Sequence, residues 1–187
     1  MSQTNSKTRT LVEGALMIAL ATVLSYLKLL DMPQGGSITL EMLPLILMGL
    51  RNGAKWGCFT GFVHGLLQML IGFSNVLYCT TLGAQIGCIL LDYLVAFTVL
   101  GLAPVFAKLF SNKLAGVAVG TAIVGLLRYL CSFLSGVLIW GGYAPEGQPV
   151  WLYSLGYNGS YMIPDIIIAV VVLVLMRKYA SKLFEGK

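Results

Sequence analysis

Charge is what this chain of 187 residues has least of: 12 Lys and Arg and 7 Asp and Glu make up 10% of it, against 58% hydrophobic residues. With a mean hydropathy of +0.87, it is too apolar for its own surface to keep it in water and too apolar to be disordered. An integral membrane protein is what remains. Chemistry-bearing motifs are scarce as well. No G-x-x-x-x-G-K-[ST] cradle for nucleotide phosphates occurs, and neither H-E-x-x-H nor G-x-S-x-G is present. The single histidine and the four cysteines, Cys58, Cys79, Cys88 and Cys131, show no metal-ligand spacing. The cysteines read as small packing residues, and no metal, cofactor or catalytic group is expected. The net charge of +5 does not point to nucleic acid, because the basic residues cap apolar segments instead of lining one face.

Apolar runs between breakers predict six membrane-spanning helices, at about 10–30, 38–51, 54–72, 82–108, 114–140 and 159–177, in a single domain over 1–187. The first apolar run, after Lys7 and Arg9, is too long for a signal-peptide core and reads as a retained helix. Helix 2 is short and carries Pro44, so a kinked or incomplete crossing is expected. With both termini cytoplasmic, the inner segments collect Lys7, Arg9, Arg51, Lys55, Lys108, Lys113, Arg177, Lys178, Lys182 and Lys187, ten of the 12 basic residues. The outer loops then hold none, as the positive-inside rule requires. Those loops, 31–37, 73–81 and 141–158, are rich in glycine, proline and aromatics.

Ionisable residues within membrane segments mark functional sites by default. Five stand out: Glu41, His64, Asp92, Arg128 and Asp165. Glu41 and Asp92, with Trp140, Tyr153, Tyr157 and Asn158, fall in the outer half of the bundle, where they suit a small, flat, hydrogen-bonding and preferably cationic ligand. Anionic ligands are disfavoured, since this half supplies almost no positive charge. Structural readings stand beside the functional ones. Asp92 and Arg128 share a depth that allows an ion pair, Glu41 lies near enough to the interface to be hydrated, and His64 reads first as a buried hydrogen-bonded side chain. Asp165 has the position of a residue complementing a helix start. In helix 1, Ala15 and Ala19 form a small-xxx-small pair suited to close helix contact, within the bundle or with a partner.

The segments 32–37 (MPQGGS), 43–57 (LPLILMGLRNGAKWG), 90–97 (LLDYLVAF) and 126–164, which includes YAPEGQPVWLYSLGYNGSYM, resemble the thiamine-specific substrate-binding subunits (S-components) of energy-coupling-factor vitamin transporters over nearly the whole chain. The resemblance implies a six-helix bundle whose first outer loop is a lid over a site formed by helices 4 to 6. Position by position, it implies an acid at Asp92 with Tyr93 beside it, a stacking ring at Trp140, pyrimidine contacts at Tyr153 and Asn158, and a further acid at Glu41. It also implies a transmembrane scaffold subunit, docked through Ala15 and Ala19, and two cytoplasmic ATPase subunits.

Two departures affect the ligand. Ser132 stands where members usually carry a histidine, and Asp92 is shorter than the Glu of some members; the lid aromatic of some members falls near Ser37. Thiamine is the expected ligand, with a hydroxymethylpyrimidine- or pyridoxine-type vitamin as the alternative. A small intramembrane enzyme using Asp92 and Glu41 as acid and base, and a stand-alone channel, are the readings from other classes.

Overall fold

The computed structural model describes residues 2–186, with side chains from residue 7 onward. Helix α1 (Ser2–Tyr26) runs into a short hairpin in which β1 (Leu30–Asp31) pairs antiparallel with β2 (Ser37–Ile38). Then follow α2 (Met42–Asn52), α3 (Ala54–Ile71), the short α4 (Phe73–Tyr78), a continuous helical rod α5 (Leu82–Ala107), α6 (Lys113–Leu138) and α7 (Val150–Tyr179), closed by a 3-10 turn at Ser181–Phe184. Four of these are long and apolar enough to cross a membrane: α1 over Lys7–Tyr26, α5, α6 and α7. The architecture is that of an all-helical, multi-pass membrane protein. Its only sheet among the described residues is the two-residue ladder.

The shortest of the main helices is the centre. Leu45, Ile46 and Met48 of α2 are fully buried, and α2 packs against α1, α3, α5 and α7. At 11 residues α2 is roughly 16 Å long, about half a hydrocarbon core. Pro44 does not kink it. It lies in the first turn, where its missing N–H has no partner to lose. Gly53, at φ +90°, turns the chain directly from α2 into α3, a backbone conformation that a Cβ disfavours. The three helices meet on glycine. A Cβ on Gly57 would lie 2.6 Å from Gly49 Cα and 2.8 Å from Gly101 Cα. In lipid, where apolar surface gains little by leaving its surroundings, such close backbone contact is the main source of helix association.

Side chains fix the helix starts. Thr81 accepts the Ala84 N–H at 3.2 Å, and Asn112 accepts those of Leu114 and Ala115 at 2.9 and 3.2 Å. At the end remote from the hairpin, Arg51 grips both carboxylate oxygens of Glu13 at 3.0 and 3.2 Å and donates to the carbonyls of Lys182 and Leu183. It ties α1, α2 and the C-terminal turn together.

Several boundaries differ from those expected. Helix α1 ends at Tyr26 instead of residue 30, because the chain peels off into the hairpin. The largest difference is in α7, expected from residue 159 but starting at Val150. Pro149 supplies a helix-ready φ of −57° at its start, and the aromatic residues that read as loop form the first turns of a 30-residue helix. Asp165 is therefore mid-helix, and does not complement a helix start.

Candidate functional site

At the hairpin end, α5, α6 and α7 enclose a cavity of about 360 Å3 roofed by Gln34–Ser37, a size suited to a small organic ligand. Spacing along the helices builds its walls. Helix α6 and the residues after it present Arg128, Ser132, Gly136 and Trp140 in steps of four, a cation, a hydroxyl, a bare backbone and an indole on one face. Helix α7 answers with Tyr153, Tyr157 and Tyr161, and with Asn158 beside them. The α5 wall is made where the helix widens into a π turn, Ile89–Leu94, carrying Asp92 and Tyr93. Such turns alter side-chain aim without ending the helix and concentrate at functional sites.

All seven residues expected to form the site, Glu41, Asp92, Tyr93, Ser132, Trp140, Tyr153 and Asn158, line this one cavity. Asp92 Oδ2 accepts the Trp140 indole N–H at 3.0 Å. Tyr93 donates to the Gly72 carbonyl at 3.1 Å and accepts from Asn75 at 3.1 Å, which fixes the phenol against the turn between α3 and α4. Asn158 is held on both sides of its amide: Nδ2 donates to the Ser154 carbonyl at 2.9 Å, and Oδ1 accepts from Tyr161 at 2.7 Å. The Tyr153 hydroxyl donates to Gln34 in the roof.

Glu41 is buried, and protein groups engage both of its carboxylate oxygens. Its Oε1 meets His64 Nε2 at 2.9 Å and also accepts from Gln68, while Oε2 faces Arg128 Nη2 at 3.4 Å. Arg128 lies over the Phe97 ring, 4.3 Å from its centroid, and its buried Nη1 has no hydrogen-bond partner among the described residues. The pairing of Asp92 with Arg128 is thus not formed: Asp92 is engaged by Trp140, and the cation pairs with Glu41. His64, fully buried, is the hydrogen-bonded structural side chain expected. Three carboxylates, those of Glu41, Asp92 and Asp165, share the lining with the Arg128 guanidinium. The outer half is therefore not devoid of positive charge, but carboxylates outnumber it and a cation remains the favoured guest.

The roof is the first outer loop, in the place of the lid that the resemblance implies, whereas Asn75, Gly136, Tyr143 and Tyr161 are lining residues beyond those expected. The step-of-four pattern from Arg128 to Trp140 is the signal for Gly136, and that from Tyr153 through Tyr157 is the signal for Tyr161. Among the described residues, no group of three or more His, Cys, Asp or Glu side chains is placed to hold a metal ion, and all four cysteines are free.

The family model described as "Thiamine transporter protein" matches residues 11–185. The thiamine transporter ThiT of Bacillus subtilis (strain 168) is 39% identical over 197 residues, covering 100% of this chain and 98% of that protein. ThiT of Lacticaseibacillus paracasei is 29% identical, covering 95% of this chain and 90% of its own. Among solved structures, that of ThiT from Listeria monocytogenes superposes with a TM-score of 0.80 at 27% identity, covering 96% of this chain and 98% of that one.

Proposed function

The chain belongs to the thiamine transporter protein family, and from that premise we propose that it captures thiamine in the roofed cavity, as the single-domain substrate-binding subunit of an uptake system. It is a multi-pass cell-membrane protein whose role is transport, not catalysis. Thiamine joins an aminopyrimidine, rich in donors and acceptors, to a permanently cationic thiazolium. The cavity offers a matching division. Asn158 and Tyr153 supply amide and hydroxyl groups at the α7 wall, and Trp140 with Asp92 supplies a π face and a carboxylate that both attract the cation. The observation that carries the reading is the convergence of these four residues on one cavity, together with a net excess of carboxylate around it.

We place the cavity outside and the Arg51 end in the cytoplasm, with both termini there, a reading that the one-sided distribution of basic residues supports. The cavity is closed from that end by the Glu41, His64, Gln68 and Arg128 network and by the buried core of α2, so delivery inward requires the whole subunit to move. The sequence carries no G-x-x-x-x-G-K-[ST] motif that would hold a nucleotide to drive such movement. We propose that a transmembrane scaffold subunit and two cytoplasmic ATPase subunits of the energy-coupling-factor type supply it. The docking face is on α1, where Ala15 and Ala19 are exposed while Gly14 and Ala21 make the inward contacts.

The test is titration of the purified subunit while its tryptophan emission is followed, since Trp140 lines the cavity. Saturable quenching is expected with thiamine. Saturation by pyridoxine or hydroxymethylpyrimidine, with none by thiamine, would overturn the ligand assignment.

A further inference from the structure

The roof of the cavity is bound to α7 at one residue per turn. Tyr153 donates to the Gln34 side chain. Tyr157, four residues on, accepts the Gln34 N–H at 2.8 Å and donates to the Gly35 carbonyl at 3.0 Å. Tyr161, four further, lies beneath Gly36: a Cβ there would sit 2.5 Å from the ring carbons. Asp165, four further again, accepts the Thr39 N–H through Oδ1 at 2.8 Å, with both residues buried. The last bond is the only one of the four made to a charged acceptor, the kind of hydrogen bond that is strongest and least exchangeable with water.

The roof itself is a tight turn: the Met32 N–H donates to the Gly36 carbonyl at 3.0 Å and the Gly35 N–H to the Met32 carbonyl at 3.2 Å, with Gly35 and Gly36 at φ +89° and +90°. Four successive turns of α7 therefore hold a preformed turn. Its base is also continuous with the interior, because Thr39 Oγ1 accepts the Glu41 N–H at 3.3 Å, and Glu41 is locked by α3 and α6.

We infer that Tyr153, Tyr157, Tyr161 and Asp165 form a latch for the roof, and that Asp165, through its bond to the Thr39 N–H, is its positioning residue, governing how long a bound ligand is retained. All four also line the cavity, so the loss of any one mixes binding with latching. At Asp165 a pair of substitutions separates the two, one that removes the charge and keeps the acceptor and one that removes both. The inference rests on the reading of the cavity as the thiamine site.

The experiment measures thiamine association and release separately, by rapid mixing and by chase with excess unlabelled ligand. Asp165→Leu removes both the charge and the acceptor for the Thr39 N–H and is expected to speed release by about ten-fold or more. Asp165→Asn removes the charge, retains an Oδ1 acceptor and is expected to release several-fold more slowly than Asp165→Leu. Release from Asp165→Asn as fast as from Asp165→Leu would assign the effect to charge balance near Arg128 and overturn the latch; so would unchanged release from Asp165→Leu. Should the leucine variant not fold, hydrogen exchange on the unmodified, ligand-free protein decides. The Thr39 amide is expected to be strongly protected, and exchange at the rate of a free loop amide would overturn the inference. If the unmodified protein binds no thiamine at all, the functional reading fails while this amide still tests the latch.

Discussion

The indole N–H of Trp140 donates to Asp92 Oδ2 at 3.0 Å, so the aromatic face and the carboxylate proposed to receive a cation are one unit, joining the end of α6 to the π turn of α5. Trp140→Phe separates the two contributions. It keeps an aromatic face and removes the donor that orients Asp92. Hydrogen bonds to charged groups contribute about 1.5–3 kcal/mol, so the variant is expected to bind thiamine at least about ten-fold more weakly. Trp140→Ala, which also loses the face, is expected to be weaker still. Isothermal calorimetry is the measurement, since tryptophan emission changes with the substitution itself.

The Glu41 and Arg128 pair makes a prediction about stability. Both side chains are largely withdrawn from solvent, at 8% and 14% exposure, so removal of one leaves the other charge with reduced compensation. Breaking a buried pair from one side costs about 3–5 kcal/mol. Glu41→Leu is expected to lower the thermal unfolding temperature in detergent markedly, with His64 and Gln68 also losing their acceptor. Adding Arg128→Leu is expected to restore much of the loss, because no orphaned charge remains. A double variant as unstable as the sum of the two single ones would refute the pairing.

How much of this was legible beforehand can be argued residue by residue. Asp92, Glu41 and Arg128 stand out because a membrane interior makes each ionisable side chain conspicuous, and the gathering of Glu41 and Asp92 at one end follows from counting along apolar runs, whereas the place of Arg128 beside them does not. Their partners did not follow. Asp92 and Arg128 matched in depth, yet depth says nothing about azimuth, and the choice of Glu41 for Arg128 depends on how α2 and α6 face each other. Helix α7 begins nine residues before its expected start because Tyr, Trp, Asn and Gly in its first turns are as common at an interface as in a helix. The roof was visible as the glycine turn of MPQGGS, but its bonds to α7 span more than 100 positions of sequence, and no local pattern announces them.

Ser132 lies between Arg128 and Gly136 on the cavity wall, where the resemblance to S-components leads one to expect a histidine. A serine there leaves the wall flat and offers a hydroxyl in place of a ring. Ser132→His is expected to tighten thiamine binding by several-fold, up to about ten-fold, through added stacking of about 0.5–1.5 kcal/mol. Calorimetric titration with thiamine and with pyridoxine measures both arms. Loss of thiamine binding on this substitution would mean that the cavity is built around the small side chain and admits a bulkier guest than thiamine.

The last prediction concerns α1, where two sets of small residues have different employment. Gly14 is buried, with its Cβ position 3.2 Å from Thr60 Oγ1, and Ala21 is fully buried, so these two make the internal contacts. Ala15 and Ala19, one turn apart, are exposed on the opposite side and give the bundle nothing that a larger residue would not. A face of small side chains turned outward admits close approach of another helix. Ala15→Trp and Ala19→Trp are therefore expected to leave thiamine binding by the isolated subunit within about two-fold of the unmodified protein, since neither residue lines the cavity. Uptake of labelled thiamine by cells expressing the variants with scaffold and ATPase subunits is expected to fall steeply, along with co-purification of the scaffold. Full uptake by both variants would mean that the partner docks elsewhere, and the outward alanines would then be ordinary lipid-facing residues.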